Sequence, residues 1–120
     1  MKISVVKYDR DSKEAEVLFE NDNQSLLTYC PFLMSNKLPK HIWIEAFLPS
    51  NCRKTFENES IEKNSGYYSF SLIGKVKDIK NDFAIVSVFG IEIKVDNIPS
   101  DINTNENLYF ETIRLDCICE

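Results

Sequence analysis

Catalysis needs particular side chains at particular spacings, and this chain of 120 residues holds few of them. Its one histidine, His41, sits beside the apolar run Ile42-Trp43-Ile44, with no serine or cysteine in a recognised nucleophile motif. An isolated imidazole of this kind reads as a surface or packing residue. The three glycines, Gly66, Gly74 and Gly90, are too scattered to form a phosphate-cradling loop. No enzyme and no cofactor are expected.

The four cysteines allow two readings. Cys117 and Cys119 are two apart, so on a strand they face the same side. Cys30 and Cys52 would then be needed to complete a four-sulfur zinc site. Paired zinc ligands usually have two or more residues between them, however, and here there is one. Cysteine is also a good small core residue. Buried or edge thiols, with no metal, are expected.

Charge carries the remaining signal. Lys and Arg number 14 and Asp and Glu 19, a net charge of -5. That balance disfavours nucleic-acid backbone and anionic lipid as partners. Glu14, Glu16 and Glu20 alternate with apolar residues along one segment, and Glu57, Glu59 and Glu62 crowd a polar one. The plain reading is a solvated face that keeps a small protein soluble. The sharper reading is an interaction surface for a basic protein. These six glutamates are the candidate partner-binding set.

The elements that would position them are strands. Only 3 residues are Ala, while Ile, Val, Thr and the aromatics together make 38 of the 120. Such side chains suit a pleated, half-buried surface, and Ala-poor chains are weak helix formers. A single domain over residues 1–120 is expected, mostly β, with at most one or two short helices between residues 33 and 62. Ile3 and Val5 share a face, and Asp9 to Lys13 reads as a hairpin loop. In the return strand Ala15, Val17 and Phe19 point inward, and Glu14, Glu16 and Glu20 outward with Leu18. Ser25 to Phe32 reads as a third strand. His41 to Leu48, bracketed by Pro39 and Pro49, fits a strand or two helical turns. Pro49 to Gly66 reads as a long loop with one helical turn near Lys54–Glu59.

The last third is the most regular. Tyr68, Phe70, Leu72 and Val76 share a face, and the shift to Ile79 predicts a bulge. Asn81-Asp82 turns the chain. Phe83, Ile85, Phe89, Ile91, Ile93 and Val95 keep one phase, which predicts a single strand bent at Gly90, because Phe-Gly is a poor two-residue turn. Pro99 to Asn107 is a polar loop, and Leu108 to Cys119 a closing strand.

Residues 67–119, with a long strand carrying Gly in its middle (Ser71-Leu72-Ile73-Gly74-Lys75-Val76), a hairpin and a second long strand bent at a glycine, resemble part of an OB-type barrel. The resemblance implies a small, antiparallel, partly closed β-barrel, completed by the N-terminal strands. It carries no functional residue with it.

Two functional expectations follow, from different classes. A small, acidic, catalytically empty domain is similar in type to bacterial immunity proteins and antitoxins, which neutralise a basic toxin by covering its active site. The alternative is an OB-like single-stranded nucleic-acid binder. Lys75, Lys77, Lys80 and Lys94 would supply its charge, and Tyr67, Tyr68 and Phe70 its stacking surfaces. Asp78, Asp82, Glu92 and Asp96 nearly cancel those lysines. The N-terminus has too short an apolar run for a signal peptide, and no stretch is long enough to span a bilayer, so a cytoplasmic protein without membrane contact is expected.

Overall fold

A computed structural model describes all of residues 1–120 and shows eleven strands and no helix. They are β1 (Lys2–Tyr8), β2 (Ala15–Asn21), β3 (Gln24–Cys30), β4 (Ile42–Phe47), β5 (Ser50–Thr55) and β6 (Ser60–Lys63), then β7 (Phe70–Ile79), β8 (Phe83–Val88), β9 (Ile91–Asp96), β10 (Asn107–Thr112) and β11 (Arg114–Cys119). All belong to one sheet, in the order β1-β2-β3-β11-β4-β9-β8-β7-β10-β5, with β6 paired to β7 beside this path. The expected β content is therefore present. The expected antiparallel, partly closed barrel is met only in part, because the sheet does not close, its path ending at β1 and β5, and two neighbours, β3–β11 and β4–β9, run parallel among otherwise antiparallel pairs. The β3–β11 seam has one bridging pair, Tyr29 with Asp116. No helix is long and apolar enough to cross a membrane.

Alternation explains most of the packing. Ala15, Val17 and Phe19 from β2 enter the core, as read from the sequence, and meet Leu26 and Cys30 of β3 and Ile44 of β4. Within residues 41–48 the chain forms strand β4 (Ile42–Phe47), which sends Ile42, Ile44 and Ala46 to the core side. Strand β7 is the pivot of the sheet. Its residues Phe70–Ile73 pair with β6, and residues Lys75–Ile79 pair with β8, so Gly74 stands at the changeover. A Cβ on Gly74 would lie 2.6 Å from Val86 Cγ1 and 2.8 Å from the Ser87 carbonyl oxygen, so only glycine lets β8 approach this closely. The predicted bulge lies between Val76 and Asp78.

Three expectations are corrected. Residues 83–95 form a hairpin, not a bent strand. Val88 pairs with Ile91 across Phe89-Gly90, whose φ angles of 49° and 84° make a turn matched to strand twist. The strained Phe89 is held from outside: Asn21 Nδ2 donates to its carbonyl at 2.9 Å, and its N–H donates to Glu59 Oε1 at 3.0 Å. Ala84, Val86 and Val88 therefore face the core with Ile91, Ile93 and Val95, while Phe83 and Ile85 lie half-buried on the other side. Second, the closing strand breaks at the exposed Ile113 into β10 and β11, and Thr112 Oγ1 donates to the Phe47 carbonyl at 2.8 Å beside the break. Third, the polar stretch after Pro49 is not a loop with a helical turn, because it contributes β5 and β6. Strand β5 is an edge strand whose only apolar member is Cys52, so it has no alternation to detect.

Candidate functional site

The registers of six strands place one row of side chains across the outer face. Lys7 of β1 pairs with Glu16 of β2, Glu16 with Tyr29 of β3, Tyr29 with Asp116 of β11, Asp116 with Glu45 of β4, and Glu45 with Lys94 of β9. Directly paired residues share a face, so these side chains stand side by side. At the β4–β9 end the charges neutralise each other. Lys94 Nζ lies 3.9 Å from Glu45 Oε2, and the Trp43 indole N–H donates to the same oxygen at 2.5 Å.

At the β2–β3 end the arrangement is different. The turn between β6 and β7 folds against this face. The Asn64 N–H donates to the Ser69 carbonyl at 2.9 Å, and Ser69 Oγ donates to the Thr112 carbonyl at 3.2 Å. The turn thereby delivers two tyrosines to Glu16. Tyr68 OH donates to Glu16 Oε2 at 2.7 Å and Tyr67 OH to Oε1 at 3.2 Å, while Tyr29 OH donates to Glu14 Oε1 at 2.5 Å. The Tyr67 and Tyr68 rings meet edge to face with centroids 4.6 Å apart, and those of Tyr68 and Tyr29 are tilted at 5.7 Å. Burial and the Glu16 carboxylate raise the Tyr68 phenol well above its ordinary pKa. The hydrogen bond to Glu14, then burial, raises Tyr29, and that to Glu16 raises Tyr67.

Glu16 corrects the sequence reading. It was expected to face solvent with Glu14 and Glu20, yet it is only 8% exposed. The outward side of β2 is real, but the β6–β7 turn covers it at this point. A buried carboxylate is costly unless hydrogen-bonded and charge-compensated. Two phenols meet the first need. None of the four ion pairs in the chain includes Glu14, Glu16 or Lys7.

The other predicted residues divide. Glu14 joins the site and is exposed. Glu20 lies near the far end of β2, opposite Lys2 and Ser25. Glu59 holds the Phe89 turn. Glu57 is exposed between β5 and β6, and Glu62 is exposed on β6 opposite Ser71. The structure thus brings Glu14 and Glu16 together and leaves the other four elsewhere.

Sequence reasoning missed Arg114 and Asp116. The Arg114 guanidinium lies over the rings of Tyr29 and Phe47, at 4.8 and 4.3 Å, and its Nε and Nη2 donate to the two oxygens of Asp116 at 2.5 and 3.2 Å. Arg and Asp two apart on a strand must share a face, which was the available signal. Tyr67 and Tyr68 were noticed only as possible base-stacking residues.

Below this face the thiols gather. Cys30 and Cys119 place their sulfurs 3.6 Å apart, and Cys117 adjoins both. Burial first, with the neighbouring thiols, pushes Cys30, Cys117 and Cys119 each up to about 11. Cys52 sits on β5, with Asp96 rather than a thiol as its charged neighbour, so the four sulfurs do not converge. Comparison with protein-family models, with curated proteins and with solved structures yields no match for this chain.

Proposed function

We propose that the protein is a non-catalytic binding module that covers a basic protein partner, in the manner of an immunity protein or antitoxin. The observation that carries this reading is the buried Glu16 carboxylate, held by two phenols and in no ion pair within the chain. Beside it lie Glu14 and a strip of tyrosine and arginine, residue types enriched in protein-binding hot spots. A cationic group on a partner gains the compensation that the chain does not supply.

The test is capture of partners from the native cell, followed by association kinetics. Glu14→Lys should slow association with the captured protein and flatten its salt dependence, because exposed charges act mainly on the on-rate. A partner indifferent to both Glu14→Lys and salt, or none at all, removes this reading.

A second reading, an OB-like nucleic-acid binder, has one observation in its favour. Lys54, Lys75 and the 95% exposed Phe56 line a groove of about 410 Å³. Retention of the protein on single-stranded RNA or DNA, lost with Phe56→Ala, would favour it.

A further inference from the structure

We infer that the shallow pocket between β2, β3 and the β6–β7 turn is the seat of one arginine side chain of the partner. This rests on the protein-binding reading above and names the chemistry of its central contact. The pocket measures about 150 Å³ and is bordered by Lys7, Asp9, Glu14, Glu16, Tyr29 and Tyr68. That is about five water volumes, the scale of a side-chain head group. One lysine against three carboxylates leaves a formal charge of -2 at the opening.

The chain itself shows what such parts bind. On β11 the Arg114 guanidinium rests on the Tyr29 and Phe47 rings and is gripped by both oxygens of Asp116. The pocket repeats those parts, with the Tyr29 and Tyr68 rings as walls and the Glu14 and Glu16 carboxylates as acceptors. Here, though, the carboxylates are in no ion pair within the chain. The phenol hydroxyls each occupy one lone pair of a carboxylate oxygen and fix its direction, and an ionised carboxylate has about four acceptor positions. Free acceptor positions, aromatic walls and net negative charge fit a planar cation. A guanidinium suits them better than an ammonium because it combines ring stacking with a fork of N–H donors.

The probes are blocked arginine, blocked lysine and blocked citrulline (N-acetyl amides of each), titrated into the intact protein and followed by amide shifts in nuclear magnetic resonance. Arginine should give saturable shifts centred on residues 14–16, 29 and 67–68. Lysine should shift the same amides more weakly, and the uncharged citrulline should leave them in place. Glu16→Gln should weaken arginine binding about tenfold, the scale of one lost charge-assisted hydrogen bond. Glu14→Gln, at an exposed position, gives the same reading if Glu16→Gln fails to fold. Equal binding of lysine or citrulline, shifts scattered over the surface, or full arginine affinity in both variants would overturn the inference. The two proposals fail separately. A captured partner sensitive to Glu14 beside a protein blind to arginine ends only the pocket assignment. Arginine binding beside a partner indifferent to Glu14 ends only the partner reading.

Discussion

The tyrosine pocket and the groove beside Phe56 both combine charge with aromatic rings, and they differ in how the charge is disposed. In the groove between β5, β7 and β10, Lys54 Nζ already lies 3.1 Å from Glu106 Oε2. The Asn103 N–H, first, and then Lys54 hold the Glu106 carboxyl below its usual range. Phe56 stands almost fully in solvent. An anionic ligand there competes with Glu106 for Lys54 but finds Lys75 in no ion pair. In the tyrosine pocket Glu14 and Glu16 are oriented by phenols and stand in no ion pair, and Lys7 is the one cation on the lining. The larger groove keeps one ion pair and one lysine, Lys75, that is in none, whereas the smaller pocket sets three carboxylates against one lysine. The sign of the charge separates the two, because the pocket's excess is negative and suits a cationic group while the groove's excess is positive and suits an anionic one.

The largest expected difference between the regions comes with alkali. Cys30, Cys117 and Cys119 lie under the pocket's seam and have ordinary thiol values of 9.0, yet in the fold each is raised to about 11. Between these values the folded protein holds protons that the unfolded chain releases. Stability is therefore full below pH 9, falls as pH rises toward 11, and above that has lost the whole contribution. Above pH 10 the raised phenols of Tyr29, Tyr67 and Tyr68 act in the same direction. Thermal melts should show the decline beginning before pH 10, and Cys117→Ala should reduce its slope. Hydrogen exchange should show β3 and β11 losing protection before β5 and β10. A melting temperature flat from pH 8.5 to 10 would show that the thiols are not held protonated.

A substitution gives the next largest contrast. Glu16→Ala leaves the half-buried Tyr68 hydroxyl without its acceptor, while water replaces it at the exposed Tyr67, and should cost about 1 to 2 kcal/mol, a fall of several degrees in Tm. Glu106→Ala removes one side of a half-exposed ion pair and the acceptor of the exposed Asn103 N–H, which water can replace, and should lower Tm by less. Equal losses in the two variants would erase the distinction between a built site and a solvated surface.

How far the sequence showed these features depended on what each side chain does alone. The β2 pattern was legible because Ala15, Val17 and Phe19 alternate with acids and the strand has one buried side. The β8–β9 hairpin was not. Phe83, Ile85 and Phe89 are larger than Ala84, Val86 and Val88, so the bulkier residues set the apparent phase. The small set faces the core because β7 approaches closely at Gly74. The Phe89 turn also depends on Asn21 and Glu59, 68 and 30 residues away. The break at Ile113 did leave a trace. Apolar positions are even at Leu108 and Phe110 and odd at Leu115 and Cys117, a phase change that one strand cannot carry. The site was half legible. Acid spacing marked Glu14 and Glu16, but tyrosines brought together by a turn leave no periodic signal.

The smallest expected effect separates two glutamates that the sequence treated alike. Glu14 and Glu59 both belong to acidic runs, and each accepts one hydrogen bond in the structure. The Glu14 acceptor meets a phenol hydroxyl at an exposed position, where water replaces it readily. The Glu59 acceptor meets the N–H of Phe89, a non-glycine residue with a φ of 49°, which has no strand partner at the turn. Reversing Glu59 to Lys leaves that N–H without its acceptor and should cost about 1 kcal/mol. It should also increase exchange at Phe89 and its neighbours, while leaving partner association unchanged. Reversing Glu14 to Lys should do the opposite, leaving Tm in place and slowing association with a basic partner. The physical reason is that Glu59 supplies geometry to a strained peptide, whereas Glu14 supplies charge to an open pocket. Measured together by melting and by stopped-flow association, the two variants should fall on different axes. If Glu59→Lys slowed association as much as Glu14→Lys with no loss of Tm, the whole acidic surface would be steering the partner, and the pocket would lose its special place.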